Sequence, residues 1–413
     1  MWHPNPTGME KTMERPWESE NWHISHLNFV PEVRAALMLP PKVIVSDCTL
    51  REGEQQPGVV LSPDEKLRLA RMLDEVGIPQ LEVGMPAVSQ EEKENIRAIA
   101  HAGLKAKTIA LCRTLKSDID SAKECGVWGI SCSTPIGYLQ LRYKLKWPEQ
   151  KVMETVAEVT RYAHEQGFYV VMSPVDGTRA DMDFLDRFFG FVMKNGHLDR
   201  VRVVDTVGSC LPQAIQYMVR WVTKTTGLPV EVHCHDDFGM ATANTMAGVA
   251  AGAQVVSTVV NGMGERAGGA PTEEVALGLK VLYGLETGVK LEKLYALSTL
   301  LREMTNVNPP PNKAVVGENA FAQEAGLAVS GWKEMPLTAE PYLPELVGQT
   351  HKLILGKKSG RHSIELKLKD LGRKASEDQM EKLLLKVKLQ AERTKTPVSD
   401  GDFKKMVEEV LGR

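Results

Sequence analysis

Eight short runs rich in apolar and β-branched residues recur between positions 42 and 260, with longer amphipathic stretches between them. The first of these stretches opens on Ser62-Pro-Asp-Glu65, which has the order of a helix capping box. Strands that alternate with amphipathic helices predict parallel βα units, and eight of them predict an α/β protein with a closed (β/α)8 TIM barrel. An open, doubly wound sheet is the alternative, although no G-x-G-x-x-G turn follows the first run. The eight runs cover residues 42–48, 80–84, 106–112, 127–133, 168–173, 200–205, 230–235 and 255–260.

The composition is that of a globular protein without a strong charge bias. The chain has 413 residues, 43% of them hydrophobic and 25% charged, which is enough for one large domain plus an appendage. A net charge of −3 offers no basic field for nucleic acid or for an anionic membrane. The six cysteines show no C-x-x-C spacing, which favours reduced thiols and a cytoplasmic location. The first residues lack the order of a signal peptide, and no apolar run approaches the length of a membrane span.

Three parts of different character follow one another along the chain. Residues 1–40 form an irregular arm, and its tryptophans at positions 2, 17 and 22 predict that it packs on the rest of the protein. Residues 41–304 contain the predicted barrel. Residues 305–413 begin with a proline-rich linker and are predicted to form a small, α-rich second domain.

Two polar motifs stand at the ends of the first and seventh runs, at residues 47–55 and 233–239. Residues i and i+2 of a strand share one face, so His233 and His235 are predicted to point the same way. The strand ends of a barrel meet at one mouth, and Glu52 is therefore predicted to be the third ligand of a divalent metal ion. Such an ion would polarise the carbonyl of a 2-oxo acid, and Arg51 would stabilise the oxyanion that develops.

Each of these residues also has an ordinary explanation. An isolated H-x-H pair on a strand is more often a core or surface feature than a metal site. Arg51 and Glu52 are also compatible with a solvated ion pair. Their joint placement, at the ends of two strand-like runs, favours the metal site.

Two further segments follow predicted strands. Thr206 has a hydroxyl suited to a substrate carboxylate, and a helix N-cap explains it about equally well. The glycine-rich residues 261–269 suit close backbone approach to an anion, with a plain turn as the alternative. Within them, Glu265 and Arg266 either hold the loop or contact the substrate.

Five motifs in combination carry a resemblance to a known family. From about residue 42 to its end, the chain resembles the metal-dependent acyl-CoA condensing enzymes of the homocitrate synthase and 2-isopropylmalate synthase family. The wider superfamily includes 3-hydroxy-3-methylglutaryl-CoA lyase. The C-terminal length is similar to the homocitrate synthase type. The motifs are Asp47–Gln55, His233–Asn244, Asn261–Gly268, Gly317–Phe321 and Gly356–His362.

The resemblance implies a Claisen condensation of acetyl-CoA with a small 2-oxo acid, of the homocitrate, citrate, citramalate or isopropylmalate type. It implies one divalent ion (Mg²⁺, Mn²⁺ or Zn²⁺) on Glu52, His233 and His235. It assigns the role of catalytic cation to Arg51. It also implies that the C-terminal domain acts as a lid and joins two copies into a homodimer. The substrate-binding residues are expected to be Gln55, Asp176, Thr206 and Arg266.

Several positions depart from the family pattern, and they concern proton transfer and acceptor recognition. Gln323 and Ala328 stand where the family has histidines, and Val175 stands where it often has glutamate. Gly137 and Tyr138 follow the fourth run, where the family tends to place polar and histidine residues. Because alanine cannot move a proton, either another group takes that role or the reaction differs. The candidate groups are Tyr138, Glu324, His351 and His362.

Two other functions are alternatives to the condensing enzyme. The missing histidine suggests a lyase that runs the retro-aldol or retro-Claisen direction, although residues 261–269 lack the G-G-C loop of the methylglutaryl-CoA lyases. The third hypothesis is a scaffold or metabolite sensor that kept the metal site but lost turnover. The presence of Arg51 beside the metal site argues against it, because binding alone has little need of that cation.

Overall fold

A computed structural model of the protein describes residues 15–412, except for the side chains at positions 327, 328, 330 and 333. The tryptophan at position 2 therefore lies outside the described residues. The other two arm tryptophans lie within them. Trp22 pairs with Tyr342 in an isolated bridge, and it packs against the main hydrophobic core. The described part of the arm thus packs on the segment that follows the barrel.

Eight parallel strands close into a barrel in sequential order, with β1 pairing both β2 and β8. The predicted (β/α)8 barrel is confirmed, and the open doubly wound alternative is wrong because the first and last strands pair along four positions. The strands are β1 Ile44–Asp47, β2 Gln80–Glu82, β3 Lys107–Arg113, β4 Gly129–Pro135, β5 Tyr169–Val175, β6 Arg200–Asp205, β7 Val230–Cys234 and β8 Val255–Thr258.

Helices connect the strands and pack around the barrel. Ser62 starts the second helix with the predicted capping box, and Gly77 ends it with φ 93°, a left-handed conformation that suits glycine. The helices are α1 Pro31–Arg34, α2 Pro63–Val76, α3 Gln90–Ala100, α4 Lys116–Cys125, α5 Glu149–Glu165, α6 Met182–Asn195, α7 Pro212–Thr226, α8 Ala241–Ala250, α9 Thr272–Gly278, α10 Leu294–Thr305, α11 Gly326–Glu334, α12 Arg361–Asp370, α13 Glu377–Thr394 and α14 Asp400–Leu411. Within residues 15–412, none of them is both long and apolar enough to cross a membrane.

The C-terminal part has its own small hydrophobic core. A two-stranded parallel pair, β9 Ala322–Gln323 and β10 Lys352–Leu353, precedes helices α12 to α14. Those helices bury a cluster that includes Ile364, Leu383 and Phe403. The chain between residues 315 and 347 instead contributes side chains to the core of the barrel. Two cores are therefore present, and the second one is built mainly from helices.

The lower interior of the barrel is filled by charged side chains. Arg200 and Arg202 share one face of β6, and both are buried. The guanidinium of Arg202 lies 2.7 Å from a carboxylate oxygen of Glu82 and 2.8 Å from one of Glu231. Arg200 reaches the second oxygen of Glu231 at 2.9 Å, and it donates to Gln80 at 2.9 Å. We call these buried ion pairs, which connect Glu82, Arg202, Glu231 and Arg200, the charge column. Polar residues at alternate positions of β2 and β6, and Glu231 of β7, were its signal in the sequence, although the column itself was not predicted.

Breaking this column is expected to destabilise the fold. In the variant Arg202→Met, Glu82 loses one guanidinium partner and Glu231 loses one, so we expect a loss of about 3–5 kcal/mol of unfolding free energy, as for other broken buried pairs. Urea unfolding followed by circular dichroism measures it. The control is Arg187→Met, because the Arg187–Glu149 pair is exposed at both ends and should change stability by less than about 1 kcal/mol. Equal losses in the two variants would contradict the expectation.

Candidate active site

The two histidines at the end of the seventh strand, His233 within β7 and His235 directly after it, converge at the C-terminal mouth of the barrel. His233 and His235 point to the same side, and their Nε2 atoms are 3.3 Å apart. The Nδ1 atom of His233 is 2.8 Å from the Ser257 hydroxyl of β8, and the Nδ1 atom of His235 is 3.1 Å from the Gly268 carbonyl oxygen. Outer partners thus hold both rings by Nδ1 and leave the two Nε2 atoms facing one point, an arrangement typical of metal-ligating histidines.

Glu52 supplies a carboxylate to the same point. Its Oε1 atom lies 3.8 Å from Nε2 of His235, and one ligand atom from each of the three residues lies within 4.8 Å of the others. Burial alone would raise the pKa of Glu52, but the neighbouring Arg51 and the histidines lower it to about 2. Burial, with His235 beside it, holds the pKa of His233 well below its usual value. A buried carboxylate and imidazole nitrogens are the donors that a divalent transition metal or zinc accepts, so these residues fit such an ion.

Arg51 lies next to this cluster and is held on two sides. Its Nε donates to Glu82 at 2.6 Å, and its terminal nitrogen contacts Glu52 and donates to Gln55 at 2.8 Å. Burial would lower the pKa of Arg51, but Glu82 and then Glu52 outweigh it and raise the pKa. Arg51 is therefore a fixed cation beside the three candidate ligands. Gln55, predicted to lie near the substrate, contacts this cation.

A cleft of about 390 Å³ opens beside Arg51 and Gln55. Leu111 of β3 and Met85 line its apolar part. The buried Lys66 lies in its wall, where its ammonium pairs with Glu54 at 2.6 Å and with Glu92. This cleft was not predicted from the sequence, because its walls come from segments associated with three different strands, β1, β2 and β3.

The ends of β5 and β6 hold two more of the predicted residues. The Thr206 hydroxyl oxygen accepts a hydrogen bond from the backbone N–H of Asp176 at 2.8 Å. The carboxylate of Asp176 is buried and accepts two hydrogen bonds from Arg179, at 2.7 and 2.9 Å. Asp176 therefore has its charge paired within the protein.

The loop after β8 packs against the strand ends on the other side of Thr206. The guanidinium of Arg266 donates to both carboxylate oxygens of Asp237, at 2.9 and 3.1 Å, and to the Thr206 carbonyl at 2.7 Å. Of the two roles left open for Arg266, these contacts favour holding the loop. Glu265 donates its backbone N–H to Glu52 at 3.4 Å, which ties the loop to the candidate metal ligands.

A buried carboxyl group under this loop makes stability depend on pH. Glu273, in the first turn of α9, accepts a hydrogen bond from the backbone N–H of Asn261 at 3.1 Å. Burial raises the pKa of Glu273 to about 7, despite the opposing charge of Lys313. Because the folded protein holds this proton more tightly than the unfolded chain does, the stabilisation is complete below about pH 4.5 and is lost as the pH rises towards 7.

Replacing this group is expected to change that pH dependence. Between pH 4.5 and 8 the wild type should lose roughly 3 kcal/mol more unfolding free energy than Glu273→Gln, as a shift of this size implies. Denaturant unfolding at several pH values measures the difference between the two proteins. Parallel stability curves would show that Glu273 does not titrate in this range.

Each of the first two candidate proton-transfer groups has a hydrogen-bond partner within the protein. Tyr138, exposed in the segment after β4, accepts a hydrogen bond from Arg142 at 2.8 Å. Glu324 follows β9, and its carboxylate accepts the backbone N–H of Lys358 at 2.9 Å, in the loop before α12. These two roles stay predictions.

The remaining candidates lie in the C-terminal part. His351 pairs with the buried Glu340 at 2.7 Å, and His362 pairs with Glu365 at 3.2 Å. Position 328 falls within α11, and its side chain lies outside the described ones.

Comparison with known proteins adds to this geometry. The family model described as HMGL-like matches residues 42–301. The chain belongs to the HMGL-like family. A second family model, described as "Homocitrate synthase post-HMGL domain-like", matches residues 315–395 of this family member. The two matches together cover the barrel and most of the C-terminal part.

Relatives within the HMGL-like family confirm the predicted resemblance to the homocitrate and 2-isopropylmalate synthases. Homocitrate synthase AksA of Methanopyrus kandleri is 44% identical over 93% of this chain and 96% of its own length. The (R)-citramalate synthase CimA of Methanocaldococcus jannaschii is 44% identical over 90% of this chain and 75% of its own length. The 2-isopropylmalate synthase of the same organism is 41% identical over 91% of this chain and 73% of its own length.

Solved structures show the same fold at low identity. The HMG-CoA lyase of Bacillus subtilis superposes with a TM-score of 0.59 at 18% identity, over 66% of this chain and 96% of that one. At this identity the likeness concerns the barrel alone. It gives no separate support to the lyase alternative.

Proposed function

We propose that the protein is a divalent-metal-dependent acyltransferase that condenses acetyl-CoA with a small 2-oxo acid; a metal-dependent C–C lyase of the same superfamily is the alternative. The products would be CoA and a 2-hydroxy-2-alkyl dicarboxylate or tricarboxylate, of the homocitrate, citrate, citramalate or isopropylmalate type. The observation that carries the proposal is the buried convergence of Glu52, His233 and His235 beside the fixed cation Arg51. The names of the relatives, all synthases, support the same reaction class.

Each residue of the site has a definite task in this reaction. Glu52, His233 and His235 would hold the ion, which when bound supplies a Lewis acid for the keto oxygen of the acid. Arg51 stabilises negative charge as it grows on that oxygen, because its position is fixed before the reaction begins. The Thr206 hydroxyl contacts the carboxylate of the acid.

Proton transfer needs one more group. A base removes a proton from the acetyl methyl group, and a bond then forms between that methyl carbon and the keto carbon. The keto oxygen gains the electron pair of its double bond and takes up a proton to become the hydroxyl group, and water cleaves the thioester to give a carboxylate and free CoA. Tyr138 and Glu324 are the proposed acid–base groups, with His351 and His362 as the other candidates. Each has an oxygen or nitrogen able to carry a proton.

The reaction is tested by release of free thiol from acetyl-CoA. The metal-loaded protein is incubated with pyruvate, 2-oxoisovalerate, 2-oxoglutarate or oxaloacetate, each with Mg²⁺, Mn²⁺ or Zn²⁺. At least one acid should give thiol release that a chelator abolishes. Thiol release by the wild type in every mixture at the level of a Glu52→Gln control would refute the proposal. Cleavage of 3-hydroxy acids or their CoA esters in a parallel assay would favour the lyase alternative.

We also propose a homodimer formed through the C-terminal helices and a cytoplasmic location. The six cysteines, all free thiols in the structure, support a reducing compartment. Light scattering after size exclusion measures the mass of the assembly. A variant truncated before α12 should elute as a monomer if the C-terminal helices join the two copies.

A further inference from the structure

We propose that Arg179 is a positioning residue for the acceptor acid. By fixing Asp176, it makes the backbone of Asp176 orient the Thr206 hydroxyl towards the carboxylate of that acid. The inference rests on the proposed function, because the acceptor acid is the ligand that the hydroxyl would contact. It assigns a role to a residue that the sequence analysis did not single out.

The hydrogen bond at Thr206 decides which way its hydroxyl can donate. The oxygen accepts the backbone N–H of Asp176 at 2.8 Å. An amide N–H offers no lone pair, so the hydroxyl hydrogen must point to another acceptor. Thr206 is therefore a hydrogen-bond donor on a fixed oxygen, as recognition of a carboxylate requires.

Asp176 donates that bond from an unusual backbone conformation. Its φ of 63° and ψ of 27° lie in the left-handed region, which is unfavourable for most residues other than glycine. Arg179 holds the conformation from three residues away, because its Nε and a terminal nitrogen donate to both carboxylate oxygens, at 2.7 and 2.9 Å. Its backbone N–H also donates to the Asp176 carbonyl at 3.0 Å. The Asp176–Arg179 pair thus closes the short turn whose first N–H contacts Thr206.

Gly137, in the segment after β4, lies against the carboxylate of Asp176. A Cβ atom added to Gly137 would stand 2.3 Å from Oδ2 of Asp176, although the backbone of Gly137 is outside the left-handed region. The carboxylate of Asp176, and not the conformation of the loop, is what bars a side chain at position 137. One of the departures from the family pattern is therefore sterically tied to this pair.

Thr206 is fixed independently on its other side. Its carbonyl oxygen accepts from Arg266 at 2.7 Å, and Arg266 is itself paired with Asp237. A change at Arg179 should therefore leave the main chain of Thr206 in place and alter the orientation of the hydroxyl. The effect should be specific to the acceptor acid.

The kinetic test is Arg179→Gln in the metal-loaded protein. KM for the 2-oxo acid should rise about tenfold, the value of one charge-assisted hydrogen bond. KM for acetyl-CoA and the affinity for the metal, measured by titration, should change less than about twofold. The control Arg187→Gln removes an exposed guanidinium from the same barrel and should change none of these. Equal changes in both KM values would overturn the proposal.

Two further comparisons separate positioning from a general loss of structure. Thr206→Val and Arg179→Gln should not be additive in KM for the acid, because both act through one hydroxyl. The double variant Arg179→Gln/Asp176→Gly should reverse part of the rise in KM for the acid that Arg179→Gln causes, because glycine adopts the left-handed conformation freely. The double variant Arg179→Gln/Asp176→Ala should not reverse it. The proposal would be overturned by additive effects of Thr206→Val and Arg179→Gln, or by equal recovery with glycine and with alanine at position 176.

Measuring the binding of the acid tests the positioning role independently of the condensation reaction. If the wild type releases no thiol, calorimetry with the metal-loaded protein and each 2-oxo acid still compares wild type with Arg179→Gln. About tenfold weaker binding in the variant would support the positioning role while the condensation fails. Equal binding overturns the positioning role, and a wild type that binds none of the acids overturns both.

Discussion

Replacing Arg51 by glutamine is expected to lower the kcat of thiol release about 10²–10³-fold, which corresponds to about 2.7–4 kcal/mol of transition-state stabilisation. The reason is that Arg51 is the fixed cation next to Glu52, His233 and His235, and its other contacts hold it in position before substrate arrives. Because it is not among the candidate metal ligands, the metal affinity should fall much less than kcat. Steady-state kinetics and metal titration on one preparation measure both quantities.

A lysine at the same position separates charge from geometry. Arg51→Lys keeps a cation but cannot contact Glu82 and Gln55 with a planar fork, so its kcat should lie between those of wild type and glutamine variant. The exposed variant Arg187→Gln serves as control. If Arg51→Gln lost metal affinity and kcat to the same extent, Arg51 would be a support of the metal centre and not a catalytic residue.

Removal of one histidine ligand is expected to have the second large effect. In the wild type, a divalent ion at a hundred times its Kd should stabilise the fold by about 2.7 kcal/mol. In His235→Ala this stabilisation and thiol release should both disappear, because one of the three converging donors is gone. Thermal unfolding with and without Mn²⁺ or Zn²⁺ measures the first effect without any need for turnover.

A milder substitution tests the hydrogen bond that orients one of the histidine ligands. Ser257→Ala removes the hydroxyl next to Nδ1 of His233 but keeps all three ligands, so the metal affinity should fall about 10- to 100-fold. His164→Ala, which removes an imidazole stacked on His197 away from the three ligands, is the matched control. If the metal stabilised His235→Ala as much as the wild type, the ion would bind elsewhere.

The barrel and the convergence of the three candidate metal ligands could be predicted because both depend on short sequence periods. Alternating runs gave the strands to within a few residues, and the predicted run 230–235 corresponds to β7 Val230–Cys234. The i, i+2 spacing of His233 and His235 placed them on one side, and the common mouth of a barrel brought Glu52 to them. None of these inferences required knowledge of contacts between distant residues.

Other features of the site depend on partners that periodicity does not identify. Asp176 and Arg266 have the charge and position of substrate-binding residues, yet each is paired within the protein. Arg179, three residues further along the chain, pairs with Asp176, and Asp237, which lies on a different loop, pairs with Arg266. Glu324 likewise has its partner in a loop more than thirty positions away. For Arg266 and Glu324 the tertiary fold, and not the local pattern, decides that the polar groups are already paired.

The charge column inside the barrel has a consequence for how strongly the metal and the substrate affect each other's binding. Three guanidiniums (Arg51, Arg200 and Arg202) and three carboxylates (Glu52, Glu82 and Glu231) alternate from the mouth downwards, so their formal charges cancel. A divalent cation added to this neutral column brings uncompensated positive charge into a region shielded from water, and the negative charge of a 2-oxo acid offsets part or all of it. Metal and 2-oxo acid should therefore raise each other's affinity by the same factor, which metal titrations with and without saturating acid would reveal.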